Sequence, residues 1–236
     1  MRHRDGSWLR NPVAVLSATA IAVLAVSIPA SALGSDDSRG DAAAEVAELP
    51  DVESILAELA RVPGLSARFR EERRLSLLKR PLVTHGSLHF APPDRLVRRV
   101  DAPTASVLLL SGNRLTIEDS RGRKTLDIET LPTLRVFADS FRLILAGKLA
   151  ELREFYRIRR EPAAGQGAWR LRLEPRLPSL AKVISAIEVE GSGRTLREIR
   201  ISEVAGDSTW IQFSEVDAGR RFSRDEMVQL FLPAAQ

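Results

Sequence analysis

A chain of 236 residues with 35 Lys and Arg against 31 Asp and Glu and no cysteine is long enough for one sizeable domain or at most two small ones. The missing cysteines exclude both a disulfide framework and a lipidated cysteine near the N-terminus. The small basic excess is scattered singly among apolar residues, as at Arg170 and Arg172, and aromatics are only 5%, so the clustered basic and aromatic footprint of a nucleic-acid binder is excluded, leaving a modest attraction to anionic phospholipid headgroups.

Arg2, Arg4 and Arg10 precede an uncharged stretch from Pro12 to Ala30 that ends in Ile28-Pro29-Ala30-Ser31-Ala32. A basic start, an apolar middle and small residues at the end are the layout of a cleavable export signal, with cleavage expected after Ala32. An uncleaved anchor would use a similar length of roughly 20 residues, but the Ala-rich, Ser-containing composition is only weakly hydrophobic. Residues 33–48 have low hydrophobicity and no period, as in a flexible tether, which leaves a single domain over 49–236 and a periplasmic location. Val52, Ile55, Leu56 and Leu59 then follow helical spacing behind Asp51 as N-cap, and Pro63-Gly64 ends a first helix predicted over about 51–62.

Beyond Gly64 the period becomes two. Alternation is clear at Leu88 and Phe90, Leu115 and Ile117, Leu126 and Ile128, Trp169 with Leu171 and Leu173, Ile187 and Val189, Ile199 and Ile201, and Ile211 and Phe213. Gly112-Asn113, Gly122, Gly165, Gly191 with Gly193, and Gly206-Asp207 separate these runs as hairpin turns would. Pro132, Leu134, Phe137, Ala138, Phe141, Ile144 and Leu145 return to helical spacing, so a second helix over about 132–146, closed by Gly147, interrupts an antiparallel meander. Its wide apolar stripe fits either a plug of ordinary core or a movable lid over an apolar cavity. Two helices cannot cover so large a sheet, which therefore closes tightly or wraps a cavity that selects apolar ligands.

Chemistry is hard to find in this pattern. His85 and His89 share a strand face yet stand about 13 Å apart at roughly 3.3 Å per residue, too far to hold one metal. Glu190-Gly191-Ser192-Gly193 lacks the spacing of a nucleophile elbow, and no glycine-rich phosphate loop occurs. Glu71 and Glu72 point to opposite strand faces. No catalytic residue, metal or cofactor is expected.

The order of features resembles the LolA-like family of periplasmic outer-membrane lipoprotein carriers. The resemblance is carried by Leu65-Ser66-Ala67-Arg68-Phe69, Gly86-Ser87-Leu88-His89-Phe90, Pro92, Pro103, the run Val107 to Leu110, Gly112-Asn113-Arg114-Leu115, Trp169 to Pro175, and the strands around Ile199 to Glu203 and Thr209 to Phe213. It implies a mainly β, α+β fold, an antiparallel unclosed half-barrel with a helical lid over an apolar cavity. It further implies a carrier of acyl chains between membranes, with Phe69, Leu88, Phe90, Val107, Leu109, Leu115, Ile117, Trp169, Leu171 and Leu173 lining the cavity and Leu134, Phe137, Phe141 and Leu145 on the lid. Expected partners are an acylated cargo, lipoprotein or glycolipid, an inner-membrane donor and an outer-membrane acceptor, with the carrier itself a monomer. A structural envelope protein and a lipid-modifying enzyme are the alternatives. One departure stands out: the family's arginine before the proline after the second strand, which ties down the lid, is Ala91 here. Arg95 or Arg98 could stand in, although a surface-strand Arg98 would ordinarily be solvated.

Overall fold

The computed structural model describes residues 51–232 except 146, 147 and 194, and for 133, 137, 141 and 145 the backbone alone. The expected export signal and tether, and Gly147 as the stop of the second helix, lie outside the described residues.

Helix α1 (Val52–Leu59) starts where Asp51 Oδ1 accepts the Ser54 N–H at 2.7 Å, and it buries Ile55, Leu56 and Leu59. Six strands follow as a meander: β1 (Leu65–Arg74), β2 (Leu82–Ala91), β3 (Arg95–Ala102), β4 (Ser106–Ser111), β5 (Arg114–Asp119) and β6 (Gly122–Asp127). A 3₁₀ turn (Ile128–Thr130) leads into α2 (Pro132–Leu145) and α3 (Leu149–Phe155). The second wing comprises β7 (Tyr156–Glu161), β8 (Ala168–Pro175), the single turn α4 (Pro178–Ala181), β9 (Ile184–Ser192), β10 (Thr195–Glu203) and β11 (Ser208–Asp217), before a last helix α5 (Arg224–Phe231).

All eleven strands form one antiparallel sheet in the order β6-β5-β4-β3-β2-β1-β11-β10-β9-β8-β7. The first strand pairs with the last, Phe69 opposite Phe213, and so joins the two wings. The edges β6 and β7 do not pair, so the curled sheet stays open: it is the unclosed half-barrel. The chain crosses from one edge to the other through α2 and α3, and this connection places helices over the concave face.

Alternation fixes what each face carries. The concave face and the helices upon it hold the main core, including Leu65, Phe69, Leu88, Phe90, Leu96, Leu115, Trp169, Leu171, Leu173, Ile199 and Ile211. On the convex face of the second wing the outward-facing residues form a ladder of ion pairs: Arg159 with Glu174, Arg172 with Glu188 and Glu174, and Arg170 with Glu190. That explains why singly scattered arginines occupy these strands.

The convex face of the first wing is different, because α5 covers it. Ala91, Val97, Leu109 and Phe231 are buried together there, with Val107, Phe222, Met227 and Leu230 packed around them. Helix α5 begins with a capping box, Ser223 accepting from the Glu226 N–H while the Glu226 carboxylate accepts from the Ser223 N–H. It was not foreseen, although Ser223-x-x-Glu226 is a legible helix start.

Two expectations are corrected by packing. Arg98 is not solvated: it lies on the concave face, 3% exposed, and donates to Glu71 Oε2 at 2.8 Å beneath the Phe69 ring. Gly191 is not a turn residue but part of β9, where a Cβ would collide with the Thr195 carbonyl and the Trp169 indole. The flat glycine lets the buried indole lie against the strand, and Trp169 Nε1 donates to Gly193 O at 2.7 Å.

Candidate functional site

The helices do not seal perfectly onto the second wing. Between them lies an apolar slot lined by Leu56 and Leu59 of α1, Ile144 of α2, Leu152 of α3, Ile158 of β7, Trp169, Leu171 and Leu173 of β8, Val189 of β9 and Leu196 of β10. Every lining residue is apolar or aromatic, and each strand contributes from its inward parity. The slot's volume is about 30 Å³, against the roughly 300–1,000 Å³ of sites that enclose drug-sized ligands. At that volume the slot is too small to enclose a ligand of that size.

The expected cavity residues divide accordingly. Trp169, Leu171 and Leu173 line the slot. Phe69, Leu88, Phe90 and Leu115 share the concave face but are packed in the contiguous core, with Ile117 half-buried against it. Val107 and Leu109 belong to neither group and are corrected here: both lie on the convex face under α5. The unbroken run Val107-Leu108-Leu109-Leu110 is apolar on both faces, and it is Leu108 and Leu110 that enter the main core. Seven slot residues were not anticipated as a set because they come from three helices and three strands brought together only by the fold, namely Leu56, Leu59, Ile144, Leu152, Ile158, Val189 and Leu196.

Of the expected lid residues, Leu134 packs half-buried against the core. Phe137, Phe141 and Leu145 have side chains outside the described residues. Polar contacts add to this packing in tying α2 down. Arg142 Nη2 donates to the Gly112 carbonyl at 2.6 Å while Nη1 pairs with Asp139 at 3.0 Å. The acceptor sits at the tip of the β4–β5 hairpin, where Gly112 has φ +54°, a left-handed conformation natural to glycine. The neighbouring Asn113 donates to Glu129 Oε1 at 2.8 Å, and Glu129 Oε2 receives Arg135 of α2 at 3.1 Å. On the underside, Ser140 Oγ and Tyr156 Oη are hydrogen bonded at 3.2 Å, and burial pushes the Tyr156 phenol up to about 12, keeping it neutral.

One cation interrupts the apolar surroundings. Arg160 shares the inward parity of Ile158, stands opposite Leu171, and has Nε and Nη2 buried without a hydrogen-bond partner. Buried unpaired donors are costly. Among the described residues no cluster of His, Asp and Glu is placed to hold a metal ion, and no helix is long and apolar enough to cross a membrane.

The family model described as outer membrane lipoprotein carrier protein LolA-like matches residues 42–218. Among solved structures, the chain is similar to a LolA superfamily protein from Nitrosomonas europaea, with 10% identity over 77% of this chain and 97% of that one, at a TM-score of 0.40. It is similar to a putative outer membrane lipoprotein-sorting protein domain from Vibrio parahaemolyticus, with 11% identity over 75% and 96% of the two chains and a TM-score of 0.43. Similarity extends to Pseudomonas aeruginosa MucB in its complex with MucA, at 14% identity, a TM-score of 0.45, and coverage of 74% of this chain and 59% of that one. Comparison with curated proteins returns no significant match.

Proposed function

The chain belongs to the LolA-like family of outer membrane lipoprotein carrier proteins, and from that premise we infer that it is an exported carrier which shields the acyl chains of lipoproteins or related lipids between the inner and outer membranes. The observation that carries this reading is the apolar slot between the helical layer and the wall of an open half-barrel. Burying a methylene is worth about 0.8 kcal/mol, so a widened slot can hold an alkyl chain against water. The unpaired donors of Arg160 suit the polar junction of such a chain. On this reading residues 1–32 are removed on export, 33–48 tether a single carrier domain over 49–236, and the protein works as a soluble monomer between a donor and an acceptor.

The test is uptake of a fluorescent long-chain acyl probe, together with mass spectrometry of lipid that co-purifies from the native envelope. Val189→Phe, which fills the slot from β9 while keeping an apolar residue, should lower probe affinity by about five- to 150-fold, since overfilling a site costs about 1–3 kcal/mol. Probe uptake unchanged by this substitution, or no probe and no native lipid bound at all, would remove the carrier reading.

A further inference from the structure

Soluble domains rarely cluster exposed aliphatic side chains without a use for them. Here Leu77 and Leu78 in the β1–β2 loop are 94% and 46% exposed, Leu82 at the start of β2 is 48% exposed, and Val204 in the β10–β11 turn is 58% exposed. The two connections adjoin, because the Ser76 N–H donates to Asp207 Oδ1 at 2.8 Å. Residues 73–82 read Arg-Arg-Leu-Ser-Leu-Leu-Lys-Arg-Pro-Leu, four cations with no carboxylate. Arg74, Lys79 and Arg80 are exposed, as is Lys182 beside the turn, whose Val204 N–H donates to Val183 O. Of the nearby carboxylates, Glu72 pairs with Arg74 at 3.0 Å, Asp207 caps the loop, and Glu203 lies inward against Arg73, its pKa raised by burial, which leaves Lys79 and Arg80 as the cations at the tip.

Apolar side chains standing out from a ring of cations match an interface with apolar depth and negative headgroups. We propose that the β1–β2 loop, with Leu82 and the β10–β11 turn beside it, docks the protein on an anionic phospholipid bilayer, Leu77 and Leu78 entering the headgroup region while Lys79 and Arg80 meet the phosphates. The surface is remote in chemistry from the slot and independent of it.

The protein in its exported form should co-sediment with vesicles of phosphatidylethanolamine and phosphatidylglycerol at about 7:3, and about tenfold less with neutral phosphatidylcholine. Leu77→Ser with Leu78→Ser, and separately Lys79→Glu with Arg80→Glu, should each weaken binding at least about tenfold. Raising the salt to about 0.5 M should reduce binding of the wild type while having little further effect on the charge-reversed variant. Because all four residues are exposed, unchanged thermal midpoints will establish that the variants fold. Val189→Phe should leave vesicle binding intact, so this proposal and the carrier reading fail separately. Equal vesicle binding by wild type and both double variants would overturn the proposal, as would absent binding to anionic vesicles, including the case in which the loop instead retains a soluble protein partner.

Discussion

Replacing Arg142 by Ala should loosen α2 without unfolding the sheet, and the size of the effect can be worked from its contacts. The guanidinium makes a charged hydrogen bond of 2.6 Å to the Gly112 carbonyl and an ion pair of 3.0 Å with Asp139, and its side chain is 27% exposed. Charged hydrogen bonds contribute about 1.5–3 kcal/mol, and partial exposure lowers this to about 1–2 kcal/mol, the Asp139 pair adding little because its partner is also solvated. At 1.4 kcal/mol per factor of ten, local opening of α2 becomes about 5–30 times more frequent. Native-state amide exchange reads this directly: amides of 135–143 should exchange faster by that factor, while those of Trp169 to Leu173 in β8 keep their protection. Arg142→Lys retains the charge without the fork and should fall between. In the wild type, exchange of α2 should already exceed that of β8 and should slow when a long-chain acyl probe is added. Uniform acceleration of helix and strand in Arg142→Ala would mean that α2 opens only with the whole domain, and the latch would be refuted along with any lid.

Two further outcomes test the packing of the first wing. Glu71→Leu strands Arg98 in the core and should cost about 3–5 kcal/mol, a fall of about 6–20 °C in thermal midpoint for a domain of this size. Adding Arg98→Met should restore most of that loss, and equal melting of the single and double variants would show that the pair is not coupled. His89 is held below its ordinary value near 6.5, first by burial and then by Arg99, Arg220 and Arg68. Its folded pKa lies below its unfolded one, so its contribution is complete above about pH 6.5 and declines as pH falls through the folded value. His89→Gln should therefore flatten the decline in thermal midpoint below pH 6.5, and an identical slope in both proteins would remove this residue as the cause.

The sheet was legible because its strands carry period-two alternation over one wet and one dry face: Leu88 with Phe90 and Leu171 with Leu173 could be read straight off the chain. Helix α1 was equally plain from Asp51 and the spacing of Ile55, Leu56 and Leu59, and α2 from Pro132 and its stripe. Legibility failed where both faces of a strand are apolar. The run Val107 to Leu110 offers no parity, and only the placement of α5 on the convex side decides that Leu109 faces outward beneath Phe231 while Leu108 and Leu110 face inward. It failed again at Arg98, since a lone arginine on a strand pairs with a distant carboxylate only once β1, β2 and β3 are in register. Short α3 was hidden because Leu149 and Leu152 give a single turn of period before Tyr156 begins a strand. The slot could not be read at all, being a misfit between layers rather than a motif.

That misfit bears on how a carrier of this kind would select its cargo. Opening α2 exposes the partly buried Leu134, Val136, Leu143 and Ile144, each at about half of the roughly 1.5–3 kcal/mol of a fully buried side chain, and breaks the Arg142 bond at about 1–2 kcal/mol. The total is about 4–8 kcal/mol. At about 0.8 kcal/mol per buried methylene, a cargo must bury about five to ten methylenes before the open state is favoured. Short acyl groups would then leave the lid shut and the slot dry, whereas chains of membrane-lipid length would exceed the threshold and hold it open. A slot closed to about 30 Å³ is on this reasoning a means of selection: the empty carrier presents little apolar surface to water, and the chain that enters must supply the free energy that makes room for it.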